Sequence, residues 1–405
     1  MNKFSHANQA VKYFDALYGK RKYADFRRYD NLIRGFKKKF KSSDCFLASA
    51  SGRVEFIGNH TDHNGGKVIG CAVNIDIVGA FKPNGGNKVR MLSEGYSTIE
   101  FDVTESSQLN GGAGLAEGVI AYLKQAGYAA NGFDLFTHSN VPSGAGVSSS
   151  AAFEMLIASI VNFCFNEGKI PAEIMAKAGQ YAENKYLNKP CGLLDQGASL
   201  AGGMTLFDFF NGYERQRLNV DKLPLRFVLV DTGKTHAKLS GLYATIPAEM
   251  FAVAQYFGKE RLIEVESKQL FVQEKAIRAQ FGDRPYLRAK HFVEENARVE
   301  QMICALQQGN VDEIIKLINA SGDSSLYQLQ NCAVDESDTA IADAVRFARN
   351  LGDVGARVHG GGFAGTILCV VKACDFKYFV SKMSDKYGEK SIIPMTIRHI
   401  GATVL

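Results

Sequence analysis

The sequence predicts an α+β protein of two domains. Three observations carry that reading. Apolar, β-branched runs bounded by Gly and Asn are interleaved with long helix-forming stretches, and the strand-then-helix pattern restarts at "RFVLVDTGK". With 405 residues, 46% of them hydrophobic, the chain can also fill two cores. The boundary is expected near residue 205, giving domains 1–205 and 206–405.

The first element is a helix between Lys20 and Lys41, where Tyr23, Phe26, Tyr29, Ile33, Phe36 and Phe40 recur at helical spacing. Ten Lys and Arg residues share the segment; against a net charge of only +5 they read as a solvated basic face, not a nucleic-acid or membrane surface. "DCFLASASGRVEFIG" and "KVIGCAVNIDIVGAFKP" follow as strands, then a helix over Leu115 to Lys124. "GFDLFTHSNVP" reads as a strand entering a loop, and "SAAFEMLIASIVNFCFNEG" as a buried helix. After the restart, long helices run to Ala348, and "ARVHGGGFAGTILCVV" is a glycine-rich loop leading into a strand.

No run of the roughly 18 apolar residues needed for a membrane span is present, and the N-terminal stretch lacks the apolar core of a secretory signal. The eight cysteines include no C-x-x-C pair, so neither a zinc nor a disulfide framework is indicated. A cytoplasmic address with reduced thiols is expected.

Two stretches carry chemistry. In "GRVEFIGNHTDHNGG", residues 52–66, charged and hydrogen-bonding groups crowd a strand-to-loop junction, with Asn64, Gly65 and Gly66 shaping the turn. A metal site from His60, Asp62 and His63 lacks a fourth ligand at usable spacing. In "VPSGAGVSSSAAFEM", Gly144 and Gly146 allow close approach to a ligand just before a helix begins at about Ser149 to Ala152. The unpaired N–H groups and dipole at such a terminus suit phosphate, and two glycines with three serines exceed what a simple helix cap needs.

Familiar nucleotide motifs do not fit. "DTGKTHAK" ends like a Walker A loop, but Val228 stands where its first glycine is required. Ser149 occupies the place of the third Rossmann glycine, and no H-R-D or D-F-G of the eukaryotic-type kinases is present.

Together with "ENKYLNKPCGLLDQGASLAGG" and "GARVHGGGFAGTILCVV", these motifs resemble, in order, those of the galactokinase branch of the GHMP small-molecule kinases. Weaker likeness in "VDTGKTHAKLSGLY" and "AKHFVEENARVEQM" extends it from about residue 45 onward. The resemblance implies a ribosomal-protein-S5-like N-terminal domain, a ferredoxin-like C-terminal domain and an active site between them. It implies transfer of the ATP γ-phosphoryl group to the anomeric hydroxyl of a sugar, with Mg²⁺ as cofactor. From charge and hydropathy no nucleic-acid or membrane partner is expected, and a monomer is favoured although the sequence leaves the oligomeric state open.

By the same resemblance, Asp195 is the catalytic carboxylate and Arg53 its partner. Ser143, Gly144, Ala145, Gly146, Val147, Ser148, Ser149, Ser150 and Ala151 form the nucleotide loop, and Ser150 with Glu183 holds Mg²⁺. Asn59, His60, Asp62, Gly192 and Tyr243 line the sugar, while Gly360, Gly361, Gly362 and Gly365 shape the backbone nearby.

Several positions depart from the family pattern. Asn59 stands where galactokinases carry a glutamate that contacts the carbon-6 hydroxyl, Glu55 replaces an asparagine, and His63 replaces a tyrosine. Ile246 and Pro247 replace paired arginines, and "ASGDSSLYQLQN" replaces a more acidic segment. Galactose is therefore the expected substrate and a hexuronate such as galacturonate the alternative, because a neutral amide at position 59 would repel a sugar carboxylate less. A non-catalytic sugar and nucleotide sensor is the competing class; the uninterrupted Ser148–Ala151 loop favours the enzyme.

Overall fold

The computed structural model describes every residue except 1, 2, 20, 21, 106, 143–145, 190, 211, 221, 234–239, 336 and 364. Of the expected nucleotide residues, Ser143, Gly144 and Ala145 thus lie outside the described part.

The chain begins with helices α1 (Val11–Tyr18) and α2 (Lys22–Phe40), followed by the long strands β1 (Phe46–Ile57) and β2 (Lys67–Pro83). Next come β3 (Lys88–Ser93), β4 (Ile99–Asp102), α3 (Gly111–Gln125) and β5 (Phe133–Ser139). Helices α4 (Ser149–Asn166), α5 (Ala172–Tyr186) and α6 (Leu194–Ala201) precede strands β6 (Met204–Asp208) and β7 (Glu214–Leu218). The second half opens with β8 (Leu225–Asp231). Helices α7 (Ser240–Tyr256), α8 (Ser267–Val272), α9 (Glu274–Phe281), α10 (Asp283–Gln308), α11 (Val311–Ser324) and α12 (Ala340–Arg349) follow. It closes with β9 (Val354–Val358), β10 (Thr366–Lys372), α13 (Phe376–Tyr387), β11 (Ile392–Met395) and β12 (Thr403–Val404).

Two sheets result. The larger runs β12-β1-β2-β5-β3-β4, with β6 also on β2 and β7 on β6; the smaller runs β11-β8-β10-β9 and is antiparallel throughout. The expected boundary near 205 falls inside the larger sheet. There "MTLFD" pairs with β2 and buries Met204, Leu206 and Phe207, so the chain leaves that sheet only after Leu218. Residues 403 and 404 then return to pair with β1.

Helical spacing in the basic segment places Tyr29, Leu32, Ile33 and Phe36 of α2 in the core beneath the larger sheet. Gly35 lets that helix approach closely, since a Cβ there would lie 2.6 Å from the Phe136 ring of β5. Lys37, Lys38 and Lys39 occupy the last turn, where positive charge complements the helix dipole. On the other face, α4 is the one described helix long and apolar enough to cross a membrane. Met155, Leu156, Ile157, Ile160 and Val161 instead make it the centre of the core. This burial points the N-terminus of α4 at the seam between the sheets. There Phe56 of β1 packs edge-on against Phe227 of β8, with ring centroids 5.8 Å apart.

Candidate active site

A cavity of about 600 Å³ opens at that seam. The first half contributes Arg53 and Glu55 from β1, the turn after it, the start of α4 and the start of α6. The second half contributes Tyr243, Pro247 and Phe251 from α7 and the backbone after β9. Alternation along a strand puts Arg53 and Glu55 on one face of β1.

Arg53 and Asp195 form a bidentate pair: Nε donates to Oδ1 and Nη2 to Oδ2, each at 2.7 Å. The third guanidinium nitrogen, Nη1, donates to the Gly146 carbonyl, and the Ser148 hydroxyl donates to Asp195 Oδ2. Burial opposes ionisation of Asp195, but Arg53 and the Ser148 hydrogen bond outweigh it and hold the carboxyl below its ordinary range. Helix α4 starts at Ser149, with Ser148 at the cap position in a left-handed conformation (φ 58°). Gly146, Val147, Ser148, Ser149 and Ser150 all line the cavity, whereas Ala151 is buried in the helix behind them.

Ser150 donates its hydroxyl to Glu183, whose other oxygen is 2.7 Å from Lys189 Nζ. Behind them, Glu154 receives a hydrogen bond from Gln196 Nε2 (2.9 Å), while its second oxygen is buried without a partner among the described residues. Burial, reinforced by the nearby Glu183, pushes the Glu154 carboxyl well up. Among the described residues no three His, Cys, Asp or Glu side chains are grouped to hold a metal. A hydroxyl, a carboxylate and an open approach nevertheless suit a hard cation that draws its remaining ligands from phosphate and water.

At the opposite end, Asp62 sits against the loop before α6. It accepts from the His63 backbone N–H (2.9 Å), and no cation pairs with it among the described residues. Burial, then the charges of Glu55 and Asp195, raise its carboxyl to about 7. Gly192 is required here, because a Cβ would lie 1.6 Å from Asp62 Oδ2. His60, in a left-handed conformation (φ 58°), places Nε2 3.0 Å from the Gly361 carbonyl. His63 Nδ1 faces Asn64 Nδ2 at 2.9 Å, and its buried Nε2 has no partner among the described residues. Burial holds both imidazoles neutral. Tyr243 donates to the Gly362 carbonyl (2.9 Å), and Gly361 leaves room for its ring.

One expected sugar residue is elsewhere. Asn59 is fully buried and does not line the cavity. Its Nδ2 donates to Glu55 Oε1 and to the Gly360 carbonyl, both at 2.8 Å, and its Oδ1 accepts from Asn331 Nδ2 (2.9 Å) and Ser325 Oγ (3.2 Å). Four polar contacts saturate the amide, leaving nothing for a ligand. Ser325 begins a π-helical turn, Ser325–Leu329, that ends α11 within "ASGDSSLYQLQN". Three departures from the family pattern, Glu55, Asn59 and this segment, therefore meet in one buried seam.

Glu55 stands at the wall instead, with Oε1 also held by Arg357 Nη2 (2.7 Å). Sequence reasoning also missed Lys189, Phe251 and His359 as wall residues and Glu154 behind the wall. For Glu154 a signal existed: it follows Ser150 by one helical turn.

A serine-lined helix start suited to phosphate, a carboxylate clamped by arginine and a hydroxyl-carboxylate pair in one cleft are the parts a small-molecule kinase needs. Comparison with known proteins agrees. Residues 114–203 match the GHMP kinases N terminal domain and residues 34–83 the galactokinase galactose-binding signature. The galactokinase of Clostridium tetani is 30% identical over 84% of this chain and 87% of its own length. That of Bacillus subtilis is 31% identical over 84% and 89%. Lactococcus lactis galactokinase complexed with galactose shares the fold, with a TM-score of 0.79 and 24% identity over 98% of this chain and 99% of that one. Methanococcus jannaschii mevalonate kinase is also similar, with a TM-score of 0.61 and 16% identity over 87% of this chain and 98% of that one. The fold is that of the GHMP kinases, and the chain belongs to the galactokinase family. It is a sugar kinase.

Proposed function

We propose that the protein transfers the γ-phosphoryl group of ATP to the anomeric hydroxyl of galactose, in the cytoplasm, where its free cysteines stay reduced. The observation that carries the choice of a neutral sugar is the charge distribution in the cavity. Arg53 is committed to Asp195 and Lys189 to Glu183. The sugar end presents Glu55 and Asp62, with neutral histidines and no unpaired cation among the described residues. A uronate carboxylate would meet acids there, whereas sugar hydroxyls donate to them.

Two carboxylate oxygens offer about four lone-pair sites. Arg53 and Ser148 occupy three on Asp195, so Oδ1 retains one, which accepts the hydrogen of the attacking hydroxyl. A carboxyl held below its ordinary range is a weak base, so Asp195 orients the hydroxyl and takes its proton late, after the phosphoryl group has begun to transfer. Ser150 and Glu183 would hold Mg²⁺, which when bound neutralises charge on the phosphate oxygens. The amides at the start of α4 bind the anionic groups. Glu55 reads a hydroxyl distant from the anomeric carbon with the oxygen that Arg357 and Asn59 leave free.

The test is ADP release with ATP and Mg²⁺ across galactose, galacturonate, glucose, N-acetylgalactosamine, arabinose and no sugar. Galactose-dependent release is expected. A preference for galacturonate would overturn the charge argument, and silence across the panel with ATP still bound would restore the sensor reading. Glu55→Gln should lower the specificity constant for galactose by about tenfold, the scale of one hydrogen bond to a charged group. An unchanged value would remove Glu55 from the sugar site.

A further inference from the structure

His359 follows β9 in the second half of the molecule, is 2% exposed, and lines the cavity beside Gly360. Its Nε2 lies 3.1 Å from the Gly146 carbonyl, which also accepts from Arg53 Nη1. A carbonyl only accepts, so Nε2 carries the proton and Nδ1 is left with the lone pair. That Nδ1 is buried and has no partner among the described residues. Leaving it so is unfavourable, and a residue chosen for packing alone would not need the buried heteroatom. Burial, with the Arg53 and Arg357 guanidiniums close by, keeps the ring neutral, which preserves this tautomer.

The backbone is fitted to the contact. Gly146 has φ +71°, and a Cβ added there would lie 3.1 Å from His359 Cδ2, so the imidazole rests directly on the loop. The Gly146 carbonyl is thus gripped from both halves of the molecule, by Arg53 of β1 and by the residue after β9. Arg53 presents its donors in one rigid plane, and Nη1 on Gly146 sets the tilt at which Nε and Nη2 meet Asp195. The result is a continuous chain: His359, Gly146, Arg53, Asp195.

We propose that His359 is a positioning residue for phosphoryl transfer: by donating Nε2–H to Gly146 it locks the serine-rich loop against Arg53, so the catalytic pair is aligned only when the second half is seated on the first. This inference rests on the kinase reading. It assigns His359 no contact with the reacting atoms.

The test compares His359→Phe, which keeps a ring and loses the donor, with His359→Gln, whose side-chain amide can replace it. Turnover, ATP KM, sugar Kd by calorimetry, melting temperature and amide hydrogen exchange at residues 146–150 are measured on the full chain. For His359→Phe, kcat should fall about 30-fold, within the range that a misplacement of about 1 Å produces. ATP KM should rise, sugar Kd should stay within about threefold, and exchange at 146–150 should quicken about tenfold. His359→Gln should recover most of the loss in kcat. An unchanged kcat, a glutamine variant as poor as the phenylalanine one, or sugar affinity and melting temperature falling in parallel with kcat would each overturn the proposal. If the wild type turns over no sugar, the kinase reading fails by itself. Hydrogen exchange still decides the clamp: unaltered exchange in His359→Phe overturns it without reference to activity.

Discussion

Asp195 and Asp62, at the two ends of the cavity, are held in opposite ways. Where phosphate is expected, Asp195 has Arg53 at 2.7 Å and Glu183 has Lys189 at 2.7 Å. Where the sugar is expected, Glu55 has Arg357 but Asp62 has backbone amides and no cation among the described residues, and its carboxyl is raised to about 7 while Asp195 is lowered. Burial acts in the same direction on both acids, so the partner decides the outcome. A permanently charged pair suits a centre across which phosphate charge moves, and an unpaired acid suits hydrogen bonding to neutral hydroxyls.

If that contrast is right, Asp195→Asn should have the largest effect. Turnover should fall by about 10³-fold or more while sugar binding, followed by calorimetry, survives in part. Equal losses in turnover and sugar affinity would show that Asp195 acts through binding alone. Gly192→Ala strikes the other end. Its Cβ would occupy the position of Asp62 Oδ2, 1.6 Å away, so sugar affinity should drop about 100-fold with ATP affinity unchanged. The third expected effect is graded with pH. If the ionised form of Asp62 accepts sugar hydroxyls, affinity should rise by up to about tenfold per unit from pH 5 to 7 and level off above 8. Asp62→Asn should flatten the profile, and a wild-type profile that is already flat would remove Asp62 from sugar binding.

The same carboxyl affects stability with a definite sign. Its pKa in the folded chain, about 7, exceeds the roughly 3.9 of an unfolded aspartate, so the folded state holds the proton more tightly. That contribution is complete below the unfolded value and is lost as pH rises through about 7. Urea unfolding of the sugar-free protein should show the wild type losing stability relative to Asp62→Asn between pH 5 and 8. A constant difference would mean that the carboxyl titrates normally.

Much of this site was legible in the sequence because its parts are local. The start of α4 with its serines and the turn at Asn64 to Gly66 follow from residue type and spacing over a few positions, whereas Asp195 and Glu183 entered only through the family resemblance. The restart of strand and helix patterning likewise marked the second sheet, though not where the first one ends. What remained hidden depends on contacts between distant segments. Asn59 is separated from Asn331 by 272 residues, and only that contact turns a motif residue into part of a buried seam. His359 stood next to a conspicuous glycine run, yet its partner Gly146 is 213 residues away. Irregularity in β1, with register shifts at Ser51/Arg53 and Glu55/Ile57, further blurs which side chains face the cavity.

The return of β12 to β1 also affects synthesis. Strand β1 carries Arg53, and the part of its outer edge from Leu47 to Ser49 is closed by residues 403–405. Arg398, which donates to Ser49 Oγ on that strand, is 349 residues away along the chain. During translation the strand bearing Arg53 therefore keeps that stretch of edge open to pairing until residues 403–405 have left the ribosome.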